Sequence, residues 1–115
     1  MQNPIVGSKI AWKFEDGPTA GKRFEHEFKD DGTLTFSMAG SERPTVEKHY
    51  ECSQISEMVF LVSYLAKSEW TLTSVLDFDT GKVTSVASND KQLVVQHGTF
   101  QVLAKPEMAA HAITH

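Results

Sequence analysis

The sequence predicts an all-β fold: a small eight-stranded antiparallel up-and-down barrel or, failing that, a sandwich. Three observations predict it. Short runs that alternate apolar and polar residues recur from Lys9 to Leu103. Clusters of Gly, Asp, Asn and Pro, residues that turn a chain sharply, separate them. Few stretches carry the 3.6-residue apolar stripe of a helix. A sheet closed on itself is a container, so function is expected on its inward-facing side chains.

The chain has 115 residues, enough for one domain with a modest core. We expect a single barrel domain over 1–115, with 1–8 as an N-terminal arm bearing Pro4 and Gly7. Residues 104–115 form a short tail, in which Pro106–Ala112 can make a helical turn. The formal net charge is -4, and Lys and Arg never form a basic block, which argues against nucleic-acid binding. The one cysteine, Cys52, excludes an intramolecular disulfide and any multi-cysteine zinc site. No apolar run approaches the ~20 residues of a membrane helix, and no basic-then-apolar leader opens the chain. A cytoplasmic protein without membrane or nucleic-acid partners is therefore expected. A homodimer through a strand edge or the tail is a further possibility.

Each element has a local reason. Lys9–Phe14 puts Ile10, Trp12 and Phe14 on one face. "EDGPTAG", Glu15–Gly21, is turn chemistry, with Gly supplying positive φ and Pro fixing its own. Arg23–Lys29 sets Phe24, His26 and Phe28 against Glu25, Glu27 and Lys29, one dry face and one wet one. "KDDG", Lys29–Gly32, reads as a hairpin turn. Leu34, Phe36 and Met38 alternate beyond it. After the polar loop "AGSERP", Ala39–Pro44, Thr45–Cys52 sets Val46, Lys48, Tyr50 and Cys52 opposite Glu47, His49 and Glu51. Met58–Ala66 is the most apolar strand. Trp70–Phe78 alternates through Leu72, Ser74, Leu76 and Phe78, and "FDTGK", Phe78–Lys82, turns the chain again. Val83–Ser88 and Leu93–Leu103 complete the set, joined by "NDK" at Asn89–Lys91. Gly98 is placed to mark a bulge that changes which face points inward.

The dry faces form a wall of aromatic and aliphatic groups, with Val46 and Val95 among them. A minority of polar side chains sits in that wall: His26, Lys48, Tyr50, Cys52, Tyr64, Ser74 and His97. An apolar cavity with a few polar anchors is the usual make-up of a small-molecule site. The expected ligand contacts are Trp12, Phe14, Phe24, Phe36, Tyr64 and Ser74. The candidates for orienting a ligand, or for catalysis, are His26, Lys48, Tyr50 and His97.

Each candidate also has a bland reading. His26 can be a core histidine with a hydrogen-bond partner. Lys48 can snorkel to the rim, or its ammonium can hold a ligand carboxylate or enolate. Tyr50 and Tyr64 can be ordinary barrel aromatics with their hydroxyls at the mouth. His97 points inward in only one of two registers. Cys52 reads as a small buried hydrophobe. No zinc spacing, calcium loop, phosphate loop or nucleophile elbow is present, so neither metal nor cofactor is implied. If the chain is an enzyme, it does acid–base work without a cofactor: decarboxylation, isomerisation, cyclisation or hydration. His26 or His97 would then be the base, and Lys48 or Tyr50 would stabilise negative charge.

The stretch from Ile10 to Val86 resembles the MoaF-like and phenolic acid decarboxylase group of calycin-like barrels. The likeness lies in "IAWKFEDG", "FEHEFKDDGTLTFSM" and "VFLVSYLAKSEWTLTSVLDFDTGKVTSV". It implies a lipocalin-type barrel with an aromatic-lined cavity. In the decarboxylases, a tyrosine pair on the first strand, an arginine and a glutamate remove carbon dioxide from hydroxycinnamic acids. Here the tyrosine pair corresponds to Trp12 and Phe14, which carry no phenolic hydroxyl. The nearest bases to the arginine are Arg43 and Lys48. The glutamate position falls on Ala66, or on Glu69 if the loop is gapped. The resemblance therefore implies the container more than the reaction. The reading favoured here is a barrel that binds a hydrophobic or aromatic ligand, an anionic head group being allowed. The cofactor-free enzyme is its alternative.

Overall fold

The computed structural model describes residues 3–38, 44–47 and 49–105. The tail segment Pro106–Ala112, Arg43 and Lys48 lie outside the described residues. Among the described residues there is no helix, and nine strands form one antiparallel sheet. They are β1 (Lys9–Phe14), β2 (Arg23–Phe28), β3 (Leu34–Met38), β4 (Thr45–Glu47), β5 (Tyr50–Ser56), β6 (Val59–Leu65), β7 (Thr71–Asp77), β8 (Lys82–Ser88) and β9 (Leu93–Ala104). Their order across the sheet is β4-β3-β2-β1-β9-β8-β7-β6-β5. The two edge strands, β4 and β5, are thus neighbours in sequence, separated only by residues 48 and 49. A few residues of backbone span at most ~3.5 Å each. The two edges must therefore come close at that point, and the sheet curls into a half-barrel.

The ninth strand corrects the expected count of eight. Thr45–Cys52 is two strands, because its first part pairs with β3 and its second with β6. Alternation is reset at the break: Glu47 and Tyr50 are both buried, although three positions apart, and Val46 is exposed. The expected placing of Val46 inward and Glu47 outward is therefore reversed. His49 stays on the surface, in contact with Glu51 alone of its two expected acidic neighbours.

The turns form as their side chains dictate. The Asp31 carboxylate accepts bonds from the Thr33 amide and hydroxyl, and Gly32 takes the left-handed φ of 91°. Asp77 caps the β7–β8 turn through the amides of Asp79 and Thr80, and Asn89 does the same for Lys91 and Gln92. Asn3 makes an equivalent turn, accepting from the Ile5 amide at 2.8 Å. The described part of the N-terminal segment packs against the sheet. Ile5 is fully buried, the Gly7 amide donates to the Phe28 carbonyl, and the Phe28 amide donates to Ser8.

One part of the interior is solid. Phe28, Phe60, Ile5, Ile10, Leu34, Leu76, Val62 and Val83 have no more than traces of exposed surface. Phe78 packs edge-on between Phe60 and Phe100 and extends this core. The expected bulge at Gly98 is absent. Gly98 pairs in register with Phe14 and Val83, and the irregularities lie at Lys9/Ile10 and Gln54/Ser56. Gly98 is required for a different reason: a Cβ there would stand 1.9 Å from the Lys13 carbonyl oxygen.

Candidate functional site

The rest of the interior is hollow. A cavity of about 180 Å³ lies between the aromatic side chains of β1, β2, β3 and β6 and the small ones of β7 and β8. Trp12, Phe14, Phe24, Phe36, Tyr64 and Ser74 all line it, as does His26. The alternation of β1, β2, β6 and β7 explains why: each places its inward set without interruption. Phe24 stacks on Phe36 with centroids 5.6 Å apart, and Phe14 tilts against Phe24.

His26 is the centre of this wall. Its ring stacks on Trp12 at 3.8 Å and 18°, and it is flanked by Phe28, Phe36 and Tyr64. It is 2% exposed. Burial among aromatic rings disfavours the imidazolium and drives its pKa down to about 3, so the ring is neutral at physiological pH. Nε2 and the Tyr64 hydroxyl lie 3.3 Å apart and share one hydrogen bond. Nδ1 is buried and has no hydrogen-bond partner among the described residues. In either neutral tautomer, Nδ1 is therefore a spare donor or a spare acceptor. Burial also pushes the Tyr64 phenol well above its ordinary value, with a second contribution from the charge of Glu47.

Further polar groups reach the cavity from the opposite wall. Ser74 and Ser85, cross-strand partners on β7 and β8, share a 2.6 Å bond between their hydroxyls. The next residue in that row is Gln96 on β9. Its amide donates to the Asp16 carbonyl and accepts from the Thr19 hydroxyl, which clasps the β1–β2 loop over this side of the cavity. Gly17 permits the clasp, since a Cβ there would stand 2.5 Å from Gln96 Cγ.

Two sequence candidates lie elsewhere. His97 is on the outer face, its side chain 61% exposed, with Nδ1 2.8 Å from Asp16. Its amide bonds the same carboxylate and holds Asp16 below its ordinary pKa. The inward residues of β9 are Val94, Gln96 and Gly98, whereas Val95 is exposed, opposite to the expected parity. Tyr50 is buried outside the cavity. Its hydroxyl donates to the Lys29 carbonyl at 2.9 Å, its ring meets Phe28 edge-on, and burial raises the phenol to about 12. It ties β5 to the β2–β3 hairpin. Cys52 is half-buried, and desolvation raises its thiol.

A second hollow, of about 290 Å³, adjoins the first and shares Phe36, Tyr64 and Leu72 with it. Trp70, Ala66 and Glu47 complete much of its wall. Glu47 is 4% exposed, and both its oxygens lie 3.2 Å from the Lys67 amide. Sequence reasoning missed Glu47, Gln96, Thr19 and Ser85. Ser85 was within reach, because it stands opposite Ser74; the others depend on a broken alternation or on a loop folding back. Among the described residues no three His, Cys, Asp or Glu side chains are placed to share a metal ion.

A curled antiparallel sheet around an aromatic cavity defines a class of protein, the β-container. The family model for the MoaF N-terminal domain matches residues 2–92, and the chain belongs to that family. The MoaF-like resemblance seen in the sequence is thereby confirmed. No curated protein matches the chain. Among solved structures, the fold is similar to that of "a putative beta-lactamase from Burkholderia vietnamiensis", with a TM-score of 0.71 at 10% identity. The match covers 90% of this chain and 99% of that one.

Proposed function

We propose that the chain is a small-molecule-binding barrel of the calycin or lipocalin type, a single domain that holds a hydrophobic or aromatic ligand in its interior. The observation that carries this reading is the hollow beside the packed core, walled by aromatic rings, with a buried polar atom, His26 Nδ1, that finds no partner among the described residues. A buried unpaired nitrogen costs about 1–3 kcal/mol, and a ligand or an ordered water that bonds it recovers that cost. The size is suitable too. An apolar cavity of roughly 150 Å³ admits benzene, and this one is about 180 Å³. Trp12, Phe24 and Phe36 would sandwich a flat ring, with His26, Tyr64 and Ser74 orienting its polar edge. We place this activity in the cytoplasm.

The test is a fluorescence titration with a panel of single-ring aromatic compounds. Trp12 emission is expected to change saturably with at least one, and Trp12→Phe to remove most of that change. A flat response to the whole panel overturns the reading.

The cofactor-free enzyme has one observation in its favour, the His26–Tyr64 hydrogen bond. It is the weaker reading. A general base works best with a pKa near the operating pH, and burial takes His26 far below it. The pair is better suited to giving and accepting hydrogen bonds than to removing protons. The fold likeness to "a putative beta-lactamase", at 10% identity, supports the fold alone.

A further inference from the structure

Resting on the reading of the interior as a ligand site, we infer that the two adjoining hollows form one site for an aromatic ammonium ion, with Glu47 as its charge anchor. Among the described residues, Glu47 is the one buried acidic side chain, and the buried histidine, His26, is neutral. A buried carboxylate is costly unless it is well paired. Its hydrogen bond among the described residues is to a single donor, the Lys67 amide, which both oxygens share at 3.2 Å. A carboxylate has about four acceptor positions, so the described residues leave most of its capacity unused.

The surroundings suit a cation. The wall that the two hollows share includes the rings of Phe36 and Tyr64, and Trp70 lines the second hollow together with Glu47 and with Lys67, which is an exposed residue. Aromatic faces attract cations through their quadrupoles, and a carboxylate next to them completes the recognition of an organic ammonium group. No charged side chain lines the first hollow among the described residues, so nothing there opposes a neutral ring. A ligand with its ring against Trp12 and Phe24 and its ammonium group toward Glu47 would use both compartments. The anionic ligand expected from Lys48 is the opposite outcome.

The experiment is a charge series on one ring: benzylamine, benzyl alcohol and benzoate, titrated calorimetrically at neutral pH. Benzylamine should bind at least tenfold tighter than the other two. Glu47→Gln should cost benzylamine tenfold or more and leave benzyl alcohol within about twofold. Equal binding of all three, or tightest binding of benzoate, overturns the inference. The wild-type series decides this even if Glu47→Gln does not fold. The two proposals fail separately. If benzyl alcohol binds without a preference for the amine, only the Glu47 assignment falls; if none of the three binds, the ammonium site falls together with the reading of the interior on which it rests.

Discussion

His26 is folded into a place where it cannot easily take up a proton, and stability should record this. Its folded pKa of about 3 lies below the unfolded value of 6.5. Between these two values the unfolded chain binds more protons, so stability rises with pH across that window and is fully present above 6.5. At about 1.4 kcal/mol per pKa unit, the wild type should lose about 2 kcal/mol between pH 7 and pH 5. His26→Phe keeps the stack on Trp12 and should lose most of that slope. Urea denaturation of both proteins at the two pH values is the measurement. Asp16 and Asp31 have lowered pKa values through bonds from His97 and from Thr33. Their contributions are present above about 3.8 and are lost only below it, so they do not confuse the comparison.

At the scale of the element, what decides each strand is whether its alternation runs unbroken. Trp12, Phe24, His26, Tyr64 and Ser74 were legible because β1, β2, β6 and β7 keep period two from end to end. Glu47 was not, because alternation restarts between β4 and β5, where the chain leaves one sheet edge for the other. His97 was open to two registers, and in the one observed β9 turns it outward and sets Gly98 against the Lys13 backbone. That contact predicts a severe variant. Gly98→Ala places a methyl group 1.9 Å from a backbone oxygen that cannot move without parting β1 from β9. A loss of about 3 kcal/mol or more is expected by chemical denaturation. The β6–β7 turn holds the opposite case. Glu69 has a φ of 72°, a conformation costing an L-residue roughly 1–2 kcal/mol. Glu69→Gly should leave stability unchanged or raise it by up to about 1 kcal/mol, whereas Glu69→Val should lower it. Melting temperatures will show either order.

For the molecule as a whole, the division into a packed part and a hollow part should appear as unequal costs for the same truncation. Phe28 is sealed in the core at 1% exposure, so Phe28→Ala should cost about 3–5 kcal/mol. Phe36 borders both hollows and is only partly buried. Phe36→Ala enlarges a space that already exists, and about 1–2 kcal/mol is expected. Similar losses for the two would mean that the interior is uniformly packed. A bound ligand at a hundred times its Kd should add about 2.7 kcal/mol to the wild type.

The strand order has a consequence for how the chain could be rewired. Taken from β5, through β9, to β1 and on to β4, every strand neighbours the next. The fold is a plain meander, cut between β9 and β1 and joined between β4 and β5. Lys9 already faces Ala104 across that cut. A circular permutant with a short linker there, opened at residues 48 and 49, would turn the β1–β9 pairing from the most distant contact of the sheet into a local hairpin. Since local pairing lowers the entropy spent on loop closure, the permutant should fold faster than the parent, with the same nine strands and the same interior.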